Sequence, residues 1–98
     1  MSTDERISGA FADAVRMNRA ARRWTQTELA ERWHTSRPSI AKIENGERRV
    51  TVTDLYTACL VFECDADTFL TRHLESADDA REISRMLAVI GIEKSASD

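Results

Sequence analysis

The chain has 98 residues, of which 42% are hydrophobic and 32% are charged, and its formal net charge is −3. That length accommodates one domain with a modest core, or one domain with an appendage. No apolar run approaches the roughly 20 residues of a membrane-spanning helix, and the N-terminus has no apolar signal-peptide region, so a cytoplasmic protein without membrane contact is expected.

The N-terminal part of the chain is predicted to be helical, because the chain is rich in alanine and has only three glycines and one proline. Apolar side chains at Ile7, Phe11 and Val15 follow the helical repeat and form one stripe. They predict a first helix over about residues 5–21, and a flexible N-terminus is expected at residues 1–6, which overlaps the start of that helix.

Two short helices are predicted next, separated by a break of three polar residues. A capping box, Thr-Gln-Thr-Glu at residues 25–28, begins the first of them, at about 26–33. Ser36 is a favourable N-cap for the second, at about 37–45. Gly46 ends it, because glycine adopts left-handed backbone conformations most easily.

Three more helices are predicted in the C-terminal half, at about residues 54–62, 66–74 and 76–90. Residues 50–53 alternate between apolar and polar like a strand, but no partner strand is evident, so an extended connector is expected there. Thr53 is then the expected N-cap of the fourth helix.

The last predicted helix belongs to an appendage at residues 75–92, followed by a flexible tail at residues 93–98. Its apolar side chains form the narrow stripe of a helix that packs on another helix: Ala80, Ile83, Leu87 and Ile90. Dimerisation, docking of a protein partner through residues 76–92, and folding back on the same domain all fit this stripe, and self-association is favoured.

Charge is distributed unevenly along the chain. Residues 1–50 carry a net charge of +3, residues 51–98 carry −6, and the stretch 16–49 alone carries +5. Positive charge is therefore concentrated where a surface for nucleic acid would use it, and the acidic half would limit non-specific binding.

No catalytic or metal-binding pattern is evident. Cys59 and Cys64 have neither disulfide-framework nor zinc-ligand spacing, and they are expected to be reduced side chains in a helical region. Paired carboxylates and phosphate-binding glycine loops are lacking too, so no enzyme activity, no catalytic residue, no metal and no cofactor is predicted.

Two short helices joined by a three-residue break form a helix-turn-helix. The major groove of B-DNA is about 12 Å wide and admits one helix, whose N-terminal residues reach the base edges. In the second of these helices Ile40 and Ile43 are expected to face the core. The outward side chains are small or basic: Arg37, Pro38, Ser39, Ala41 and Lys42.

Residues 26–33 (QTELAERW) and 36–46 (SRPSIAKIENG) resemble the helix-turn-helix of lambda-repressor-like (Xre) regulators, and the resemblance extends over about residues 7–71. It implies an all-α, five-helix DNA-binding domain at residues 7–74, to which this chain adds a C-terminal helix. It also implies that operators are bound by a dimer.

The resemblance further implies which side chains contact DNA. The base-contacting positions are Arg37, Pro38, Ser39 and Lys42. The phosphate-contacting positions are Gln26, Asn45, Arg48 and Arg49, with Arg22 as a further candidate for which a plain solvated position is equally compatible. Arg19 and Glu44 match a structural ion pair of the family. Glu44 is not expected to contact DNA, because its carboxylate would repel the phosphates.

The sequence departs from the family pattern mainly at turns. His34 and Glu63 stand where the family favours glycine, Thr35 replaces an apolar residue, and Val50 replaces a proline. A left-handed backbone at His34 is tolerable but costs more than at glycine. These changes affect turn geometry and leave the expected fold unchanged.

The function expected from these features is sequence-specific transcriptional regulation, with a homodimeric repressor binding a palindromic operator in double-stranded DNA. The alternative is an antitoxin-like or adaptor protein whose C-terminal helix binds a protein partner, with DNA binding serving autoregulation.

Overall fold

The computed structural model describes residues 3–65 together with Phe69, Arg81 and Arg85. Over residues 3–65 the chain forms helices and connecting turns only, so the predicted all-α class is confirmed. The helices are α1 (Thr3–Ala21), α2 (Gln26–Trp33), α3 (Arg37–Glu44) and α4 (Val52–Phe62). None of the helices in the described part combines the length and the hydropathy needed to cross a membrane.

Several predictions concern residues outside this described part. The fifth helix at 66–74, the appendage at 75–92 with its stripe of Ala80, Ile83, Leu87 and Ile90, and the tail at 93–98 all lie there, apart from the three single residues named above.

The N-termini of α2 and α3 begin where the sequence predicts. The Thr25 hydroxyl accepts a hydrogen bond from the Glu28 backbone N–H at 3.0 Å, and the Glu28 carboxylate accepts one from the Thr25 N–H at 2.7 Å. The Ser36 hydroxyl accepts from the Ser39 N–H at 3.3 Å. Both caps are confirmed, because each depends on residues only three positions apart.

The N-terminus of α4 differs from its prediction. The N-cap is Thr51, not Thr53, so α4 starts two residues earlier than predicted. Of residues 50–53, which were expected to be extended, only residues 50 and 51 precede the helix. The Thr51 hydroxyl accepts from the Asp54 N–H at 3.0 Å, and the Asp54 carboxylate accepts from the Thr51 N–H at 3.1 Å. This second capping box explains the choice, because Thr53 has Tyr56, which cannot close such a box, three residues later.

The core lies between all four helices. Its largest fully buried side chains are Phe11, Val15, Leu29, Ile40 and Phe62. Aromatic rings connect α1 with α2 and with Phe69, since Phe11 meets Trp33 edge-on at 6.4 Å and Phe69 at 5.8 Å between ring centroids. Leu29 of α2 and Ile40 of α3 both belong to the buried cluster, so the two helices share one core.

Each of the four helices is closed by a residue with left-handed backbone: Arg23, His34, Gly46 and Glu63, with φ of 59°, 61°, 72° and 54°. In each case the next residue donates its N–H to a carbonyl five residues back, as Thr35 does to Ala30 at 2.9 Å. Gly46 is the only glycine among the four, so three helix ends are closed by residues with a Cβ.

Replacing His34 with glycine is expected to raise thermal stability. The left-handed conformation destabilises a residue with a Cβ by about 1–2 kcal/mol, and glycine avoids this cost. Glycine also loses more conformational entropy on folding, which reduces the gain by about 0.5–1 kcal/mol. The net gain is about 0–1.5 kcal/mol, and a gain of about 1 kcal/mol corresponds to a rise of roughly 4–8 °C in Tm, measurable by circular dichroism. Glu31→Gly, at an exposed position inside α2, is the matched control and should lower Tm. Equal losses in both variants would contradict strain at His34.

Candidate nucleic-acid interface

The outward face of α3 carries the four side chains predicted to contact bases. Arg37, Pro38 and Lys42 are exposed and Ser39 is half-buried, whereas Ile40 and Ile43 are buried against α1 and α2. An eight-residue helix is about 12 Å long, which suits the width of the major groove. The helix therefore presents one short, basic face.

Among the described residues, the two cations of this face have no competing partner. Within residues 3–65, neither Arg37 nor Lys42 forms an ion pair or a hydrogen bond through its side chain. The Ser39 hydroxyl is shared with the cap of α3, at 3.0 Å from the Ser36 hydroxyl. Both cations are thus available for an acceptor outside the described protein.

The C-terminal end of α3 is held by the carboxylate of Glu44, a residue that is only 2% exposed. Arg19 of α1 donates through Nε to Glu44 Oε2 at 2.6 Å and through Nη2 to Oε1 at 3.1 Å. Gln26 of α2 donates through Nε2 to Glu44 Oε1 at 3.1 Å. We call these three residues the Glu44 network. It ties α1, α2 and α3 at one point and so fixes the direction of α3.

The sequence pattern paired Arg19 with Glu44 but did not show two further contacts of Glu44. Gln26 was predicted to contact phosphate, but its side-chain amide donates to Glu44. Its backbone N–H, at the N-terminus of α2, is still placed where an anion could bind. Arg16 also donates to the Glu44 backbone carbonyl. Arg16 and Arg19 are three residues apart on α1 and so lie on one face of the helix, which is the sequence feature that could have indicated a shared partner.

The loop after α3 holds the remaining predicted phosphate-contacting side chains. Asn45 and Arg49 are exposed, and Asn45 Nδ2 lies 3.5 Å from Glu47 Oε2. Arg48 forms an ion pair with Asp54, the carboxylate that caps α4. Arg48 therefore anchors the loop to α4 while its side chain stays 41% exposed.

Arg22 contacts the C-terminal end of α4. Its guanidinium donates to the Phe62 carbonyl at 2.7 Å and to the Asn18 carbonyl at 3.1 Å, and it stacks over the Phe62 ring at 5.0 Å. This contact satisfies the last carbonyl of α4 while Arg22 stays exposed, so the solvated alternative is compatible with the structure, and a phosphate contact by Arg22 stays a prediction.

Cys59 lies in α4, and Cys64 follows the C-terminal end of that helix. Cys59 is buried and Cys64 half-buried, and both are free thiols, as predicted. A hydrogen bond with the Cys64 thiol, together with burial, raises the pKa of Cys59 well above its ordinary value, so its thiolate is scarce at neutral pH. No group of three or more potential metal-ligating side chains occurs in the described part of the chain.

One region of the chain matches a known protein family. A family model described as helix-turn-helix matches residues 15–69, which is more than half of the chain. No curated protein and no solved structure matches. The matched region contains α2, α3 and the loop that follows them, together with both partners of the Arg19–Glu44 pair.

Proposed function

Because the chain belongs to the lambda-repressor-like (Xre) helix-turn-helix family, we propose that it is a transcriptional regulator that reads a specific DNA sequence with α3. The observation that carries this proposal is the contrast between the two sides of α3. One side is fixed by the Glu44 network, and the other presents Arg37 and Lys42 outward with no partner in the described chain. A fixed helix with free cations at its surface suits direct readout of bases.

In this proposal α3 lies in the major groove with its N-terminal end toward the base edges. Arg37 or Lys42 donates to O6 and N7 of a guanine, and the Pro38 ring or the Ala41 methyl contacts a thymine methyl. Ser39 lies between them and can donate to or accept from either base type.

Phosphate contacts set the position of α3 in the groove. Asn45, Arg48 and Arg49 follow α3 directly and would lie over the DNA backbone, and the N-terminus of α2 at Gln26 offers backbone N–H groups to a second phosphate. The pairing of Arg48 with Asp54 still leaves donors of the guanidinium for a phosphate oxygen.

The finer part of the proposal is that the protein acts as a dimeric repressor. Two copies would bind the half-sites of a palindromic operator about 34–36 Å apart, on one side of the duplex. Occupancy of a promoter by such a dimer would block transcription. The acidic residues of the C-terminal half would keep the protein off random DNA.

Selection of bound duplexes from a random library, followed by affinity measurement, tests the function directly. We expect an enriched palindrome that binds more tightly than a scrambled duplex of the same length and composition. With about three phosphate contacts in each copy, log K should fall with log salt with a slope of about −5. Equal affinity for the enriched and scrambled duplexes at all salt concentrations would refute sequence-specific reading.

A further inference from the structure

The turn that ends α4 brings its two cysteines together. Glu63, directly after the helix, has a left-handed backbone with φ of 54°, and Cys64 donates its backbone N–H to the Cys59 carbonyl at 3.1 Å. A hydrogen bond between residues five positions apart, around a left-handed residue, defines the Schellman motif. This motif frequently packs the side chains of the two bonded residues together. It therefore predicts that the two thiols are in contact.

The two thiols are in contact, and they share a hydrogen bond. Cys59 belongs to the hydrophobic core, and Cys64 packs against that core. The residues bonded in the same way at the ends of α1, α2 and α3 are Arg19 and Trp24, Ala30 and Thr35, and Lys42 and Glu47. No cysteine stands at those positions, so among the described helices the paired thiols are particular to α4.

The two thiols differ in access and in how firmly they hold a proton. Cys59 is 3% exposed, whereas Cys64 lies outside the helix and is half-buried. The hydrogen bond with Cys64, burial, and the negative charges of ionised Cys64 and of Asp65 raise the pKa of the Cys59 thiol well above its ordinary value. Cys59 therefore keeps its proton at neutral pH, and Cys64 is the thiol that a reagent in solvent meets first.

We propose that Cys64 and Cys59 form a reversible thiol–disulfide site that reacts with low-molecular-weight disulfides. The Cys64 thiolate attacks one sulfur of the small disulfide, whose S–S bond breaks, so that a mixed disulfide forms and one small thiolate leaves. The Cys59 sulfur then attacks the Cys64 sulfur, and the second small thiolate leaves and takes up the proton of Cys59. Two protein thiols are thereby oxidised to one disulfide, and the small disulfide is reduced to two thiols.

The first step prepares the second. A mixed disulfide at Cys64 carries no charge, so the negative charge of Cys64 no longer holds the proton on Cys59. Cys59 is in contact with the sulfur that it attacks, so no large movement of the core is needed. An accessible thiol beside a resolving thiol is the arrangement typical of redox-sensing cysteines.

Reaction of the full chain with hydroxyethyl disulfide, a small neutral reagent, tests this site. The remaining thiols are alkylated after acid quenching, and the products are identified by mass spectrometry. The wild type should lose two hydrogens, retain no adduct and run as a single chain on a denaturing, non-reducing gel. Dithiothreitol should restore both thiols. Neither cysteine is among the proposed DNA contacts, so the inference goes beyond the proposed function and is tested without DNA.

Two variants separate the roles of the thiols. Cys59→Ala should stop at a mixed disulfide on Cys64, because the second thiol is missing. Cys64→Ser keeps only the buried thiol and should react about tenfold or more slowly than Cys59→Ala. Circular dichroism shows whether each variant is folded. Early quenching of the wild type, with the adduct mapped to Cys64, makes the same assignment without a substitution.

Glu63→Cys combined with Cys64→Ser is the matched control. The chain then still has two cysteines, but the outer one stands at an exposed position that does not belong to the bonded pair of the Schellman motif. We expect the mixed disulfide to persist in this variant under conditions in which the wild type forms its internal disulfide.

Three results would overturn the inference. A wild type that stops at the mixed disulfide would mean that the two sulfurs do not reach bonding distance. Equal rates for Cys64→Ser and Cys59→Ala would mean that Cys64 is not the attacking thiol. Equally ready closure in the matched control would mean that the turn after α4 does not select the pair.

Discussion

Replacing Glu44 with alanine is expected to lower the free energy of unfolding by about 3–5 kcal/mol, because it breaks a buried ion pair from one side. The carboxylate is 2% exposed and accepts hydrogen bonds from Arg19 and Gln26. Its removal leaves the Arg19 guanidinium, whose side chain is only 23% exposed, without its charged partner. Urea denaturation followed by circular dichroism measures the loss.

Two further variants separate the network from a general effect of lost negative charge. Glu47→Ala removes an exposed carboxylate three residues away and should change stability by less than about 0.5 kcal/mol. Glu44→Gln keeps one acceptor for Arg19 and should lose less than Glu44→Ala does. If Glu44→Ala and Glu47→Ala were equally stable, the Glu44 network would have no structural role.

Replacing Arg37 with alanine is expected to abolish most discrimination at one base pair of the operator, about 1–3 kcal/mol, without changing stability. Arg37 is exposed at the start of α3, so its removal leaves no cavity. The measurement is a set of dissociation constants for the selected operator and for each of its single-base-pair variants. The variant protein should bind the operator and the duplexes that are mismatched at the base pair contacted by Arg37 equally well.

Arg49→Ala is the matched control for this experiment. Arg49 lies in the loop after α3, where the proposed contact is to phosphate, so its removal should weaken binding to all duplexes alike and reduce the salt slope by about 1 per copy. A uniform loss for Arg37→Ala on matched and mismatched duplexes would reassign Arg37 to the DNA backbone.

Features that depend on neighbouring residues were predictable from sequence. The capping box at Thr25 and the cap at Ser36 place α2 and α3 to the residue at their starts. The same rule would have found the start of α4, since Asp54 is three residues after Thr51, but the alternating pattern at residues 50–53 favoured an extended segment.

Features that depend on tertiary packing were harder to predict. Gln26 and Glu44 are 18 positions apart, and nothing local to either residue indicates that the amide turns inward. The same holds for Arg22, which reaches a carbonyl 40 positions away on α4. The DNA contacts themselves stay predictions, as do the roles given to Ala80, Ile83, Leu87 and Ile90.

The left-handed helix ends have a consequence for how this protein could adapt to heat. Arg23, His34 and Glu63 each hold a backbone shape that glycine or asparagine adopts more readily, and none of them belongs to the outward face of α3. Substitutions at these three positions could therefore raise the thermal stability of the chain one helix end at a time, while the outward face of α3 stays unchanged.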